Sequence, residues 1–465
     1  MDSAPGGIQL TEYISVPPPE EPPENSETPE ELDESSDEDD LSKDLEDLLD
    51  RVKKLEEANE ELEDDLKKKF VVPGTSGATV KLGGRIHLDY WAFPGADAGA
   101  AAFEGENPQD RFTFRRIRPF VSGKITENMF YKLDMELGDP NDFEFRDVII
   151  GFSDIPFFQT IQIGNQKRPY GLDHLNSSNS NIFLERPMVV EAFNEDARRL
   201  GIAAYGVSCD ERWNWRYGIY NLERIQDDGT YIGDHYQLEI TGRLANTYWW
   251  QCDGRNYAHW AISGAVAEPD GDGGPSHSNE GRFRTRPEAR TSQRWLNTGR
   301  IAGADTYELL GLEKVVNVGP VQVVGELQNI WLQRSPGDDL HFWGGYAYVS
   351  YFLTGEHMPW DREDGILGRP EPFCPFFYDK HGCRYCKRGI GAWQVAVRYS
   401  HLDISDNDIL GGIGDSVTCS VNWYWNANAR LQFDYVRGWI NDHAPVNGQS
   451  DAQYDIIGVR SVVLF

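Results

Sequence analysis

The sequence has no long apolar segment. No uninterrupted apolar run approaches the roughly 18 residues that a transmembrane helix needs, and the mean hydropathy is −0.56. This absence excludes an ordinary helical membrane protein. Strands that cross a membrane are not excluded, because they expose only every second residue to lipid and their average hydropathy resembles that of a soluble protein.

Net positive charge is also missing. The chain carries 44 Lys and Arg residues against 76 Asp and Glu residues, a formal net charge of −32, and residues 1–69 alone hold 25 acidic and 7 basic residues. Such a chain repels phosphate backbones, so nucleic acid is not a predicted partner. The acidic N-terminal segment also has the wrong sign for docking on anionic lipid.

Sequence motifs of enzyme chemistry are absent as well. The chain contains no nucleophile elbow, no phosphate-binding glycine loop and no His-Glu-x-x-His pattern. The sequence therefore predicts no enzyme, no cofactor and no metal site.

The first 40 residues are rich in Pro, Glu and Ser, as in VPPPEEPPENSETPEELDESSDEDD. Such a segment cannot bury enough apolar surface to offset its chain entropy, so residues 1–40 are predicted to be a disordered acidic arm. The opening MDSAPGGIQL has neither the basic nor the apolar region of a signal peptide. We therefore interpret the chain as processed or as having an incorrectly assigned start.

Apolar residues then recur with heptad spacing over residues 41–69. The d positions are Leu41, Leu48, Leu55 and Leu62, and the a positions are Leu45, Val52, Asn59 and Leu66. This spacing predicts a short α-helical coiled coil, with a single amphipathic helix lying on another domain as the alternative. Asn59 at an a position would fix the register and the number of chains. Residues 70–78 are predicted to be a linker.

From residue 79 to residue 465, apolar and polar residues alternate in segments separated by polar turns. In TVKLGGRIHLDYWAF, Leu82 and Ile86 share one face, whereas His87 and Asp89 share the other; FYKLDMEL, HYQLEITGRL and ARLQFDYV alternate in the same way. The pattern predicts antiparallel strands with one apolar and one charged face. A soluble β-sandwich alternates too, so the location of the aromatic residues has to decide between the two architectures.

Aromatic residues make up 12% of the chain and cluster near the ends of the predicted strands, as in RWNWRYGIY, TYWWQ, FWGGYAYVSYF and SVNWYW. Girdles of this kind are typical of the two membrane interfaces of an outer-membrane barrel. The last segment, YDIIGVRSVVLF, ends on Phe465, as the closing strand of such a barrel does. About sixteen strands are counted, which predicts an all-β fold: an antiparallel transmembrane β-barrel wide enough for a water-filled channel.

Several segments carry a resemblance to a known family. FRRIRPFVSGKI, FYKLDMEL and FRDVIIGF come first, followed by IQIGNQKRPYGLDHLNSSNSNIFLERP and then RRLG. RFRTRPEA, YELLGLEKV, GPVQVVGELQ, YVSYFLTGE, GAWQVAVRYSHLD and VNWYWNANARLQFDYV follow in order. Together they resemble the phosphate-selective porin O and P family. The resemblance implies a homotrimeric sixteen-stranded barrel in outer-membrane lipid that passes small hydrophilic solutes, including anions such as phosphate, by diffusion.

Alternation and the resemblance together give two sets of basic candidates. The predicted pore-lining residues of the wall are Lys81, Arg85, Lys132, Arg216, Arg243, Arg398, Arg430 and Arg460. The predicted constriction residues near the third loop are Lys167, Arg168, Arg186, Arg198 and Arg199. Such side chains would concentrate phosphate or carboxylate solutes. Alternatively, acidic residues on the same faces neutralise them and leave a non-selective lumen; these are Asp89, Asp134, Glu136, Glu239, Glu326 and Asp434.

The chain has 6 Cys residues, of which five are disulfide candidates: Cys209, Cys252, Cys374, Cys383 and Cys386. The last three fall in a long connection, residues 354–389, and a disulfide that pins it in an oxidising compartment is the favoured prediction. A zinc site involving His381, or a redox-active or unpaired thiol, is the alternative. Cys419 lies on an apolar strand face and is predicted to face lipid.

Three hypotheses about function follow. The first is a passive porin of the outer membrane whose arm and coiled coil project into the periplasm. The second is a structural envelope protein whose coiled coil tethers the outer membrane to the cell wall, with contact through the N-terminal arm. The third is a secreted all-β enzyme or lectin.

Overall fold

The computed structural model describes residues 78–139, 142–195, 197–225, 236–269, 280–377 and 389–465. The predicted acidic arm, the predicted coiled coil with Asn59, and all of the predicted linker except its last residue lie outside these ranges.

Sixteen antiparallel strands close into a barrel, as alternation predicted. The first eight barrel strands are β1 (Lys81–Ala92), β2 (Arg111–Thr126), β3 (Met129–Asp139), β4 (Asp142–Ile155), β5 (Gln159–Lys167), β6 (Arg198–Val207), β7 (Trp213–Asn221) and β8 (Leu238–Gln251). The other eight are β9 (Asn256–Ala267), β12 (Ala304–Val318), β13 (Val321–Arg334), β14 (Leu340–Phe352), β17 (Ala392–Asp406), β18 (Ile409–Asn426), β19 (Ala429–His443) and β20 (Ala452–Leu464).

Short elements lie in the connections. Two pairs of short strands are formed by β10 (Arg284–Thr285) with β11 (Leu296–Asn297) and by β15 (Trp360–Asp361) with β16 (Ile366–Leu367). The helices are α1 (Ala98–Glu104), α2 (Leu172–Leu175) and α3 (Met188–Phe193). Within the described residues, no helix is long and apolar enough to cross a bilayer.

The first and last strands pair with each other and complete the ring. Asp89 of β1 is opposite Arg460 of β20, and Ile86 is opposite Val463. Closure satisfies the backbone donors and acceptors that an open sheet would leave at its edges, which is the condition for a sheet to cross a bilayer.

The strand faces follow the alternation of the sequence. In β8, Ile240 is 62% exposed on the outside, whereas Glu239 and Arg243 are buried on the inside. In β20, Val463 is exposed and Arg460 is buried. The predicted apolar outer face and charged inner face are therefore confirmed in these strands.

The two ends of the barrel differ in their connections. At the turn end, where β1 begins and β20 ends, five of the seven connections have two to four residues. At the loop end, six of the eight connections have five residues or more, and they include residues 168–197, here called the inner loop, and residues 268–303, the cap loop. One long connection, residues 353–391, belongs to the turn end and is called the insertion.

The inner loop, the cap loop and the insertion all supply buried apolar side chains to one core. These include Leu184 and Val189 of the inner loop, Trp295 of the cap loop and Trp360 of the insertion. They pack against inward-facing residues of β9–β20, such as Tyr454. The lumen therefore has a filled side, bounded by β8–β20, and an open side, bounded by β1–β7.

Candidate permeation pathway

The open side contains a cavity of about 810 Å³ between β1–β7 and the inner loop. Twelve basic side chains line it: Arg85, Arg115, Arg116, Arg118, Lys132, Arg146, Lys167, Arg186, Arg198, Arg216, Arg286 and Arg290. Five acidic side chains line it: Glu144, Asp147, Glu185, Glu191 and Asp364. Its walls include Gly123 near the turn end of β2 and Arg286 of the cap loop, so the cavity extends along much of the barrel.

A β-bulge in β2 increases the density of arginines in this cavity. His87 is opposite Arg116, but the next residue of β1, Leu88, is opposite Phe114, which leaves Arg115 as the extra residue. Because a bulge interrupts the alternation of side chains, the consecutive residues Arg115 and Arg116 both line the cavity.

A second irregularity has the same effect on β4. Leu133 of β3 is opposite Val148, and Met135 is opposite Phe145, so two residues of β4 lie where β3 has one. Those two residues, Arg146 and Asp147, both line the cavity. Strict alternation would have turned one of them towards lipid.

Arg116 and Arg290 have no acidic partner among the residues that the structure describes. The Nη1 atom of Arg116 is 3.4 Å from His87 Nδ1, and its Nε atom is buried without a hydrogen-bond partner. Arg290, in the cap loop, forms no ion pair with described residues. Repulsion from Arg115 and then burial lower the pKa of Arg290 to about 10. This part of the pathway therefore has a positive potential that an anion would relieve.

Other cations of the cavity are paired but still face it. Asp147 forms ion pairs with Arg198, at 2.6 Å, and with Lys132. Arg118 pairs with Glu136 and Arg146 with Glu144. Charge pairs that remain in contact with water can exchange partners with a passing solute.

The inner loop is held next to these cations by its backbone carbonyls. Lys167 Nζ donates to the carbonyl oxygens of Leu175 and Asn176, both at 2.8 Å, at the end of α2. Arg186 donates to Asn176 O at 2.9 Å and pairs with Asp173 at 3.1 Å. Arg85 reaches the same loop and donates to Ser178 Oγ at 3.0 Å.

Glu185 marks the boundary between the two sides of the lumen. It pairs with Arg115 of the open side and with Arg460 of the filled side, both at 2.7 Å. Burial alone would raise the pKa of Glu185, but the charges of Arg115 and Arg460 hold it well below its usual range. The carboxylate therefore stays ionised and anchors the inner loop.

Four predicted pore-lining residues face inwards but lie on the filled side: Arg243, Arg398, Arg430 and Arg460. Arg398 pairs with Glu288 of the cap loop at 2.6 Å, and Arg460 pairs with Asp89 at 2.6 Å. These four residues do not line the cavity of the open side, because the inward connections cover them.

Three further candidates also lie outside the cavity. Arg168 is buried against Glu239 at 2.7 Å, and Arg199 donates to Arg198 O at 2.8 Å and to Leu222 O. Lys81 is exposed at the beginning of β1, at the turn end. Arg168 and Arg199 do not reach the cavity because other groups pack on them, whereas Lys81 lies at the end of the barrel, beyond the cavity lining.

The remaining candidates do line the cavity. They are Arg85, Lys132 and Arg216 of the wall, together with Lys167, Arg186 and Arg198.

The tip of the insertion narrows the lumen from the turn end. Asp364 forms an ion pair with Arg216, and Gly365 O accepts a hydrogen bond from Arg243 at 2.9 Å. Gly365 has φ +60°, and a Cβ there would lie 2.5 Å from Asn214, so both its conformation and its close approach favour glycine. Leu367 N donates to Asn176 Oδ1 at 3.0 Å. The insertion and the inner loop therefore meet inside the barrel.

The cysteines divide into two groups. Cys374 is disulfide-bonded, whereas Cys383 and Cys386 lie outside the described residues. Cys209 and Cys252 are exposed free thiols, so the expectation of a disulfide is wrong for these two positions. They occupy turns that are two strand spacings apart, about 10 Å, whereas a disulfide requires Cα atoms within about 7 Å.

Cys419 is an exposed free thiol on the outer face of β18, as predicted. In the part of the chain that the structure describes, no group of three His, Cys, Asp or Glu side chains is placed to hold a metal ion.

Sequence reasoning missed six lining residues: Arg115, Arg116, Arg118, Arg146, Arg286 and Arg290. Arg116 and Arg118 are two residues apart in FRRIRPF, and this spacing alone could have identified them as sharing a face. Arg115 and Arg146 depend on bulges, and Arg286 and Arg290 depend on the fold of a long loop, so no simple periodicity reveals them.

A match to a known protein family identifies the family to which this barrel belongs. Residues 80–465 match the phosphate-selective porin O and P family. The chain belongs to this porin family. The match begins just before β1 and continues to the last residue, so it covers the barrel and its inward connections.

Individual relatives of the porin are distant. An uncharacterised protein of Caulobacter vibrioides is 27% identical over 360 residues, which cover 74% of this chain and 66% of that protein, just under two thirds of its length. The trimer form of in-vitro folded OmpT of Vibrio cholerae is 12% identical, with a TM-score of 0.50 over 83% of this chain and 99% of that chain. Outer-membrane expressed OmpT of the same organism is 11% identical, with a TM-score of 0.50 over 85% of this chain and 100% of that chain. The solved structures share the fold.

Proposed function

We propose that this protein is a diffusion porin of the outer membrane whose pathway favours small anions such as phosphate or carboxylates. One observation carries the proposal: twelve basic and only five acidic side chains line the cavity of the open side, in a chain whose net charge is −32. An excess of fixed positive charge in a narrow, water-filled space attracts anions and repels cations.

The nature of the basic side chains supports anions with several oxygen atoms. Ten of the twelve are arginines. A guanidinium presents paired N–H donors that match carboxylate and phosphate oxygens, and it keeps its charge at every physiological pH. Arg116 and Arg290 lack acidic partners among the described residues, so they are the first candidates for transient contact with a passing anion.

The orientation and assembly that we propose follow the general architecture of such barrels. Short turns face the periplasm and longer loops face the outside, which assigns the insertion to the periplasmic side. We also propose a homotrimer, the assembly implied by the family resemblance. Diffusion through the cavity needs no catalytic group and no cofactor.

The proposal is tested by electrical recording on the full chain in planar bilayers. A gradient of potassium chloride across the membrane should give a reversal potential of the sign for anion permeability, and added phosphate should reduce the chloride current by competing for the pathway. A reversal potential of the opposite sign would contradict anion preference while leaving the porin fold intact. If correctly folded protein passed no steady current, the alternative of a structural envelope tether would be favoured instead.

A further inference from the structure

The insertion does not stay inside the barrel. Its first part, around β15 and β16, lies in the lumen, where Trp360 stacks on Tyr257 at 5.3 Å. At the rim, Arg369 is 3.4 Å from Asn428 of the turn between β18 and β19. Beyond this crossing, residues 373–377 and 389–391 form what we call the outer leg.

The outer leg lies on the lipid-facing surface of β17 and β18. Phe376 contacts Trp423 with ring centroids 4.7 Å apart, and Phe377 contacts Trp425 at 5.5 Å. Trp423 alternates with the buried, inward-facing Asn422, so its ring is on the outside of the barrel. The outer leg is therefore on the opposite face of the wall from the first part of the insertion.

Hydrogen bonds hold the outer leg at the depth of the aromatic girdle. The indole N–H groups of Trp393 and Trp423 both donate to Ile390 O, at 3.2 and 2.8 Å. Gly391 N donates to Cys374 O at 3.1 Å, which pairs the two halves of the leg. Indole N–H groups in a girdle usually find partners among lipid headgroups and interfacial water. Here the two indole N–H groups donate instead to a backbone carbonyl oxygen of the outer leg.

Three side chains of the outer leg are apolar and more than half exposed. Phe373 is 57% exposed, Phe377 53% and Ile390 66%. Exposed apolar groups that are this large and this close together are unfavourable in water. On the outer face of the same two strands, Val397 and Val421 are also exposed.

We propose that the outer leg is an interfacial lipid-binding element that inserts Phe373, Phe377 and Ile390 into the periplasmic leaflet of the outer membrane. Its partner is the boundary between phospholipid headgroups and acyl chains. The insertion then has two roles, because one end narrows the channel while the other end is fixed in the membrane. This inference rests on the proposed membrane location and is independent of the anion preference.

Photo-crosslinking on the full chain in phospholipid vesicles tests the inference. Phe377→p-benzoylphenylalanine and, in a separate variant, Phe373→p-benzoylphenylalanine place a reactive group at the exposed positions, and mass spectrometry identifies the adducts. Phe433, exposed on the outside of β19, is the matched positive control, and Phe342, fully buried in the filled side, is the negative control. We expect the yield of phospholipid adduct at positions 377 and 373 to be within about threefold of the yield at position 433. The reason is that all three positions would contact membrane lipid.

The outcomes separate this inference from the membrane location itself. Phospholipid adducts at position 377 or 373 support the inference. Adducts at 433 with none at 377 and 373, or with only protein cross-links there, would overturn it and would indicate that a second polypeptide covers the outer leg. The absence of phospholipid adducts at position 433 as well would instead refute the transmembrane barrel.

Discussion

Arginines on the two sides of the lumen have opposite electrostatic surroundings. Arg398, on the filled side, pairs with Glu288, donates to Glu185 O at 3.1 Å and lies over the ring of Phe183 at 4.3 Å. Arg116, on the open side, has no acidic partner among the described residues and is beside Arg115. Both residues point into the barrel, so facing inwards does not by itself decide what an arginine does.

The contrast between paired and unpaired arginines explains how one barrel combines a rigid scaffold with a charged pathway. On the filled side, carboxylates from the loops and the wall pair with Arg168, Arg243, Arg398 and Arg460. The pair of Arg398 with Glu288 also helps to hold the cap loop against the wall. On the open side, twelve basic side chains line the cavity against five acidic ones, and the excess positive charge remains available to solutes. Whether the lumen is selective for anions or neutralised by its acidic residues therefore stays a prediction, which the charge excess of the open side favours in the direction of anions.

The largest expected effect is a loss of stability from breaking a pair on the filled side. Arg460→Met would leave Asp89 buried without its cationic partner, at a cost of about 3–5 kcal/mol. The free energy of unfolding in phospholipid vesicles, measured by urea titration, should fall by this amount, whereas the conductance of the protein that folds should be unchanged. Arg116→Met is the matched control and should cost less than about 1 kcal/mol, because no carboxylate loses a partner. Equal losses of stability in the two variants would contradict the distinction between a paired Arg460 and an unpaired Arg116.

Next in size is a loss of selectivity from neutralising the open side. Arg116→Gln combined with Arg290→Gln removes two unpaired charges, and we expect the ratio of anion to cation permeability to fall about tenfold, or about 1.4 kcal/mol. Reversal potentials in a salt gradient measure this ratio. Arg430→Gln, a buried arginine of the filled side, is the control, and an equal fall in that variant would show that the two sides are not electrically distinct.

A smaller effect is expected where the insertion meets the open side. Asp364→Asn removes the acidic partner of Arg216 at the turn end of the cavity. The ratio of anion to cation permeability should rise about twofold, since the carboxylate is 55% exposed and partly screened. The double variant Arg216→Gln with Asp364→Asn should restore the original ratio. A rise that persists in the double variant would contradict the role of this pair.

The smallest effect is expected from replacing the two free thiols. Both lie in turns at the turn end, one at the open side of the lumen and the other at the filled side. Replacing Cys209 and Cys252 by Ser should change the free energy of unfolding by less than about 0.5 kcal/mol, because exposed substitutions in turns remove few contacts. Both thiols should react with a water-soluble maleimide in the folded protein without reduction. Resistance to the reagent until a reductant is added would show that these positions are disulfide-bonded after all.

Much of the wall was predictable from local pattern. The exposed Ile240 and the buried Glu239 of β8 follow from alternation alone, because side chains of a strand point to opposite faces. The role of the last segment as the closing strand follows from its alternation and from its end on Phe465, and it is the strand that pairs with β1. Six of the thirteen basic candidates line the cavity, and all six are near the inner loop or on β1–β7.

The rest of the pathway was not predictable because it depends on non-local packing. Arg115 enters the cavity only because of a one-residue bulge opposite His87 and Leu88, and no feature of FRRIRPF marks that position. Arg216 and Arg398 each stand between two apolar neighbours in the sequence, yet Arg216 lies on the open side and Arg398 on the filled side.

The class of structure could be inferred from the amino-acid pattern alone, because the strands have one apolar and one charged face and end in aromatic residues, as in a closed membrane barrel. Alternation with a period of two depends only on neighbouring residues, so it can be recognised without knowing the fold. Which charges face water became known only from the folded chain, because that depends on how the inner loop, the cap loop and the insertion fill one side of the lumen. Those contacts join residues that are often more than a hundred positions apart, as Arg398 and Glu185 are, and no local period encodes them.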